Sequence, residues 1–310
     1  MTSERPRPVI GFLTDFGLDG AAATCRAVML SICRDVQIVD ISHTGRKYAI
    51  RDGAFLLRFA LPYFPVGVHV GVVDPGVGTE RRPIGVLTGR GDVLIGPDNG
   101  LLIPPAEALG GIDAARELAN RDLWLPVTTS TFHGRDIFAP VAAHLAAGHA
   151  TFDTVGPELD VAELVRVPEP SATVSDGAIE TVVTYVDSFG NVRLAGGTDE
   201  LERAFGRLAD GEALSVELDG DPSVSEATRY GRTFGTAPHG ASVVYVDSLG
   251  NLALADNQGN IAARLGISAE VLATRRDVEA LALGAADDSP LLRGWRREVV
   301  GLPLRELASG

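Results

Sequence analysis

Along the first half of the chain, short apolar runs alternate with longer segments in which apolar residues recur every three or four positions. The runs at 8–14, 36–41 and 68–73 have the length and composition of buried strands, whereas 20–33 and 49–59 carry a helical period. Strands alternating with helices mark βαβ units, so this half is read as an α/β domain with a mainly parallel central sheet. The runs 83–87 and 92–95, separated by Thr-Gly-Arg-Gly, predict a tight antiparallel excursion. Further helices are predicted at 105–118 and 135–147.

Around 165–178 the composition turns to Pro, Glu, Ser and Asp, the signature of a linker. This divides the chain into an N-terminal domain, 1–165, a linker, 166–178, and a C-terminal domain, 179–310, whose tail from about 270 carries no motif. The second domain is β-rich at 178–186, 214–218 and 241–246, with Gly, Asp and Asn between, which predicts a small β-barrel or sandwich. It also holds an echo: Tyr-Val-Asp-Ser-Phe-Gly-Asn-Val at 185–192 returns as Tyr-Val-Asp-Ser-Leu-Gly-Asn-Leu at 245–252. Each copy has the chemistry of a hairpin turn, and the repetition of its Asp and Asn suggests tips that also line a pocket.

Charge narrows the function. With 41 acidic and 27 basic residues the chain has a formal net charge of −14, which repels phosphate backbones and anionic lipid surfaces. Neither nucleic acid nor membrane is expected as a partner. No run approaches the roughly 20 apolar residues that span a bilayer, and the first residues lack the apolar centre of a signal peptide, so a cytoplasmic location is expected. Cys25 and Cys33 have neither redox nor zinc spacing and are read as buried small apolar residues.

Candidate chemistry collects where apolar runs end, because ligands of open α/β sheets bind at the carboxyl ends of strands. Asp15 follows the first strand and precedes a helix, a position suited either to ribose hydroxyls or to a helix N-cap. Val-Asp-Pro-Gly-Val-Gly-Thr-Glu-Arg at 73–81 and Thr-Phe-His-Gly-Arg-Asp at 131–136 supply Asp74, Arg81 and His133: a carboxylate, a fixed cation and an imidazole that together can hold and polarise water. Taken singly, each also reads as a turn aspartate, a surface arginine or a core histidine. The glycines at 76 and 78 form no dinucleotide fingerprint, the histidines form no metal-binding pattern, and no nucleophile elbow occurs. No metal or organic cofactor is expected.

Leu-Thr-Asp-Phe-Gly at 13–17, the 73–81 segment, Gly-Pro-Asp-Asn-Gly-Leu-Leu at 96–102, Thr-Phe-His-Gly-Arg-Asp-Ile-Phe at 131–138 and Asp-Ser-Phe-Gly-Asn-Val at 187–192 occur in order. As a set they resemble the S-adenosyl-L-methionine hydroxide adenosyltransferases, hydrolase relatives of fluorinase and chlorinase. The resemblance implies an N-terminal α/β domain, a C-terminal β-barrel, and a homotrimer with active sites between subunits. It implies that Asp74, Arg81 and His133 act on water, that Asp15 grips the ribose hydroxyls, and that Tyr48 and Phe132 flank the substrate. On the barrel, Asp187, Phe189 and Asn191 match contacts to adenine and the methionine portion, and Ser248 and Leu249 match the last contacting loop, where a side chain larger than leucine is the expectation.

The implied reaction is hydrolysis of S-adenosyl-L-methionine to adenosine and L-methionine. Halogenase relatives replace the Asp and His, carry a small hydroxylated residue near the halide and have an insertion in the first domain. This chain has Asp74 and His133, places Gly134 after the histidine, and joins its two strands near 90 by four residues. The alternatives are a chlorinase-like halide adenosyltransferase and a non-catalytic adenosine-binding or S-adenosyl-L-methionine-binding sensor.

Overall fold

Strand β1 (Val9–Thr14) lies between β2 (Gln37–Ser42) and β3 (Val68–Val72), which run parallel to it on either side. Its alternation sends Ile10 and Phe12 to one face and Leu13 to the other, all of them buried. Strands β4 (Pro83–Thr88), β5 (Val93–Pro97), β6 (Ile112–Glu117) and β7 (Glu158–Leu159) complete a seven-stranded sheet, ordered β2-β1-β3-β5-β4-β6-β7. The computed structural model describes residues 7–175, 177–218, 221–267 and 302–306.

Helices cover both faces, as the sequence pattern requires. On one, α1 (Ala21–Ile32) and α4 (Ala139–Ala146) bury Cys25, Met29 and Val141 against Ile10, Phe12 and Val70. On the other, α2 (Ile50–Ala60) and α3 (Ile103–Ala108) bury Ile50, Leu57 and Ala106 against Leu13, Val86 and Leu94. The two cysteines are free thiols inside the first layer, and burial pushes the Cys25 thiol up to about 12. Each large side chain buried in this way contributes about 1.5–3 kcal/mol.

The large sheet is mainly parallel, over β2, β1, β3 and β5, as the sequence pattern implies, and β4, β6 and β7 add to it antiparallel. One expectation needs correction. The segment 105–118 is not one helix. Gly110 and Gly111 adopt φ of 94° and 92°, which ends the helix, and the chain re-enters the sheet as β6 beside β4. The segment 135–147 is helical but begins with a π-helical turn over Gly134–Phe138.

Backbone contacts divide the chain into two units, Met1–Val167 and Pro168–Gly310. The second contains β8 (Thr173–Ser175), β9 (Ala178–Thr181), β10 (Val183–Val186), β11 (Val192–Gly197), α5 (Thr198–Phe205), β12 (Ala213–Leu218), β13 (Asp221–Arg229), β14 (Ser242–Val246), β15 (Asn251–Asp256), α6 (Ile261–Arg264) and β16 (Leu302–Glu306). Strand β8 lies inside the segment read as linker. The strands form two antiparallel sheets, β10-β11-β15-β14 and β13-β12-β16-β9-β8, around a core containing Ile179, Leu194, Val216 and Leu254. An isolated bridge from Tyr230 to Val244 links them, but among the described residues the pairings leave two sheets rather than one closed ring. Most of the motif-free tail lies outside the described residues. No helix of the described residues is long and apolar enough to cross a membrane.

Candidate active site

The strand order reverses between β1 and β3: the chain steps to one side of β1 to make β2 and then to the other to make β3. Their carboxyl ends therefore diverge into loops that leave a crevice, the usual ligand position of an open sheet. Asp15 follows β1 and Asp74 follows β3. The Asp15 N–H donates to the Val72 carbonyl at 3.3 Å, which keeps the two loops in register.

Asp15 is not a helix cap. Gly20 occupies the cap position of α1 without any side-chain bond. Instead Asp15 Oδ2 accepts the Tyr48 backbone N–H at 2.7 Å. Tyr48 holds a left-handed φ of 65°, sparsely populated for a bulky residue and a conformation that concentrates at functional sites. Further bonds fasten these loops: Thr14 Oγ1 accepts the Phe16 N–H at 3.3 Å and pairs with His43 Nδ1 at 2.9 Å, and the Gly17 N–H donates to the His43 carbonyl at 2.7 Å. Burial raises the Asp15 pKa, an effect that the Tyr48 N–H partly opposes.

Asp74, Arg81 and His133 form one cluster. Arg81 donates through Nε to Asp74 Oδ1 at 3.0 Å and through Nη2 to Asp74 Oδ2. The same Nη2 reaches His133 Nδ1 at 3.1 Å. Both partners of the ion pair are almost fully enclosed, with side-chain exposures of 7% and 5%, and the guanidinium lies 5.4 Å from the Phe138 ring centroid. Turn bonds within 74–81, including Thr79 Oγ1 to the Gly76 carbonyl at 2.7 Å, fold the loop so that Arg81 returns to Asp74. Burial raises the Asp74 carboxyl despite Arg81, and burial followed by the Arg81 charge lowers His133.

This geometry assigns the histidine tautomer. A guanidinium only donates, so His133 Nδ1 must accept, and the neutral ring carries its proton on Nε2. In that state the imidazole can donate to an oxygen but has no free lone pair with which to take a proton. The carboxylate of Asp74 is the other proton-accepting group of the cluster.

Asp15, Tyr48, Asp74, Phe132 and His133 line a single cleft of about 630 Å³, counting its open mouth, together with Phe16, Lys47, Val72, Val77, Thr131 and Gly134. Phe16 and Phe132 meet edge to face at 5.6 Å, and Arg135 lies 4.8 Å from the Phe132 ring centroid while its guanidinium is paired to buried Asp136. Gly134 makes this packing possible, since a Cβ there would lie 2.8 Å from Phe16 Cζ. Sequence reasoning missed Phe16 and Lys47. The signal for Phe16 was its place beside Asp15; the signal for Lys47 was composition, because it is the one lysine in the chain.

The remaining candidates lie on two hairpin tips of the second unit. Asp187 Oδ1 accepts the N–H groups of Phe189 and Asn191, each at 2.9 Å, and Oδ2 accepts the Asn191 side chain at 2.9 Å. Asp247 Oδ1 accepts those of Leu249 and Asn251 at 2.8 and 3.0 Å, and its Oδ2 accepts Arg193 Nε at 2.6 Å. The sequence echo is thus one turn built twice, with both carboxylates engaged in stabilising it. Phe189 is 75% exposed at the first tip, and Ser248 and Leu249 are exposed at the second.

Residues 10–156 match the family model described as SAM hydroxide adenosyltransferase N-terminal domain, and residues 181–271 match the corresponding C-terminal domain. The chain is 44% identical over 265 residues to a protein of Salinispora tropica named (R)-S-adenosyl-L-methionine hydrolase, covering 85% of this chain and 95% of that one. It is 31% identical over 294 residues to a fluorinase of Actinopolyspora mzabensis, covering 84% and 95%. An uncharacterised conserved protein of Thermotoga maritima has the same fold, with a TM-score of 0.77 at 29% identity over 96% of this chain and 100% of that one. Two family domains in order, spanning the crevice loops and both hairpin tips, make this chain a member of the SAM hydroxide adenosyltransferase family.

Proposed function

We propose that the chain hydrolyses S-adenosyl-L-methionine to adenosine and L-methionine. The observation that carries this reading is the Asp74–Arg81–His133 cluster, whose Asp74 and His133 line the cleft that also contains Asp15. Water attacks the ribose 5′-carbon in line with the C–S bond. The C–O bond forms, the C–S bond breaks, and its electron pair returns to sulfur, so methionine leaves as a neutral thioether that needs no general acid. The water proton passes to Asp74, whose basicity is enhanced by burial, and from there to solvent. His133 Nε2–H donates to the attacking oxygen and orients it. Arg81 holds both partners and stabilises anionic character as the nucleophile forms.

In this reading Asp15 receives the ribose hydroxyls, and Tyr48 and Phe132 flank the substrate. Asp187, Phe189, Asn191, Ser248 and Leu249 contact adenine and the methionine portion in a homotrimer whose C-terminal β domain serves a neighbouring subunit's site. The reaction runs in the cytoplasm without metal or organic cofactor. The (R) designation in the relatives' names supports the (R) sulfonium epimer as substrate.

The test is chromatography of the purified protein with S-adenosyl-L-methionine in ¹⁸O-labelled water, with and without chloride, beside Asp74→Ala. Labelled adenosine that disappears in the variant is the expected result. Formation of 5′-chloro-5′-deoxyadenosine would move the reading to halide transfer, and no product with retained adenosine binding would make the protein a sensor.

A further inference from the structure

Of the 27 basic residues in the chain, 26 are arginine and one is lysine. Where the fold needs only a cation it uses a guanidinium, as in the ion pairs Arg82–Asp98, Arg90–Asp92 and Arg264–Asp256. The single lysine ammonium, Lys47, stands in the cleft wall next to Tyr48 in sequence. The one lysine of the chain therefore lies at its candidate active site.

The reason lies in what Asp15 must do. Its Oδ2 is taken by the Tyr48 N–H, and its Oδ1 accepts from no other residue among those described. Lys47, exposed in the wall of the same cleft, forms no ion pair with it; its charge is the smallest of the influences on Asp15 and is set against burial and the neighbouring Asp74 charge. Asp74, Tyr48 and His133, the last with Arg81 bonded to its Nδ1, are the other ionisable groups of the same cleft. An arginine at 47 would bring a planar fork that fits a carboxylate with two parallel bonds, as Arg81 does on Asp74 and Arg90 does on Asp92. Such a fork would occupy the lone pairs that a ligand needs. A lysine ammonium is a compact, strongly hydrated point charge that favours the carboxylate without covering it.

We propose that Lys47 is a positioning residue for Asp15: it keeps this carboxylate charged yet uncovered, and its being lysine rather than arginine sets how tightly the cleft holds a vicinal diol. The inference rests on the proposed function only in taking Asp15 as the group that receives the ribose.

The experiment uses the full chain in four forms: wild type, Lys47→Met, Lys47→Arg and Asp15→Asn. Calorimetry measures binding of adenosine and of 2′,3′-dideoxyadenosine, and ¹³C NMR follows the Asp15 side-chain carboxyl through a pH titration. With Lys47→Met, the Asp15 titration moves to higher pH and adenosine binds several-fold more weakly. With Lys47→Arg, the titration does not move up, yet adenosine binding weakens by about tenfold or more, the loss of a hydrogen bond to a charged group. The dideoxy ligand shows neither difference. In turnover, the KM for S-adenosyl-L-methionine rises in both lysine variants while kcat stays within about twofold, since neither touches the Asp74 cluster.

Adenosine affinity unchanged in Lys47→Arg, an Asp15 titration unmoved in Lys47→Met, or a wild type that binds adenosine without regard to its hydroxyls would each overturn the proposal. The binding arm is independent of turnover. A wild type that shows these affinities but does not hydrolyse S-adenosyl-L-methionine would refute the reaction and leave Lys47 its role, whereas normal hydrolysis with a silent Lys47→Arg would do the opposite.

Discussion

Replacing Arg81 by lysine keeps the charge and removes the fork. Arg81 makes three hydrogen bonds in the wild type, two to Asp74 and one to His133 Nδ1. A single ammonium on a flexible stem can retain one Asp74 oxygen but cannot span both carboxylate oxygens and the imidazole. Hydrogen bonds to charged groups are worth about 1.5–3 kcal/mol each and are not additive, so two lost bonds amount to about 2–4 kcal/mol. Without its donor, His133 Nδ1 is free to take the proton, which removes the Nε2–H that orients water. If the loss falls on the transition state, kcat drops about 30- to 1000-fold. The KM should change little, because these groups handle the nucleophile rather than the nucleoside. The assay is chromatographic measurement of adenosine at saturating S-adenosyl-L-methionine, with a thermal melt to establish that the variant is folded. A folded Arg81→Lys variant with kcat within threefold of wild type would refute the assignment of Arg81 as the organiser of this cluster.

The pH profile follows from the same site. Burial sets the Asp74 pKa above its ordinary value of 3.8, so kcat should fall as pH decreases through a point above that value; an acid limb at or below 3.8 would contradict Asp74 as base. In Gly134→Ala the new Cβ would sit 2.8 Å from Phe16 Cζ, so the ring must move from its contact with Phe132. Overpacking of this kind costs about 1–3 kcal/mol of stability, and the displaced wall should lower kcat/KM about tenfold; a variant with wild-type kcat/KM shows that the ring is not needed in place. Away from the cleft, buried His69 accepts the Gly11 N–H at 3.2 Å on Nδ1 and pairs with Asp92 at 3.0 Å through Nε2. His69→Phe strands that N–H and removes one donor from Asp92, so urea denaturation should report a loss of about 2–4 kcal/mol; a loss below about 1 kcal/mol means that the pair contributes little. Burial would raise Asp92, but the bonds from His69, Arg90 and Gly67 outweigh it and hold the carboxyl well below the usual range. Its stabilisation is therefore complete above the unfolded-state value of about 3.9 and is lost as pH falls below it.

The parts of the fold legible in sequence are those decided locally. β1 to β3, α1 and α2 each bury one face of a short segment, so their periods appear in any window of that length. The failure at 105–118 has the same origin in reverse. Ile112, Ala115 and Leu118 suit a helix as well as a strand, and only pairing along the edge of β4 makes 112–117 the strand β6. In the second unit, β16 inserts between β12 and β9, placing Leu304 beside Val216 and Ile179 from distant parts of the chain. No local pattern announces such a pairing.

The candidate site divides along the same line. By itself the sequence determined the chemical inventory: Asp15, Asp74, Arg81 and His133 in recognisable motifs, a chain poor in lysine, and two turns of one design. Tertiary structure decided which of these meet. It joined Arg81 to a histidine 52 positions away, and so chose the tautomer that carries its proton on Nε2. It also turned Tyr48 into the left-handed region, where its N–H meets the Asp15 carboxylate, so that Asp15 braces this loop rather than capping a helix. Residue type sets what a group can donate or accept and is written locally, whereas hydrogen-bond direction depends on where loops close, which only the packed sheet and its helices determine.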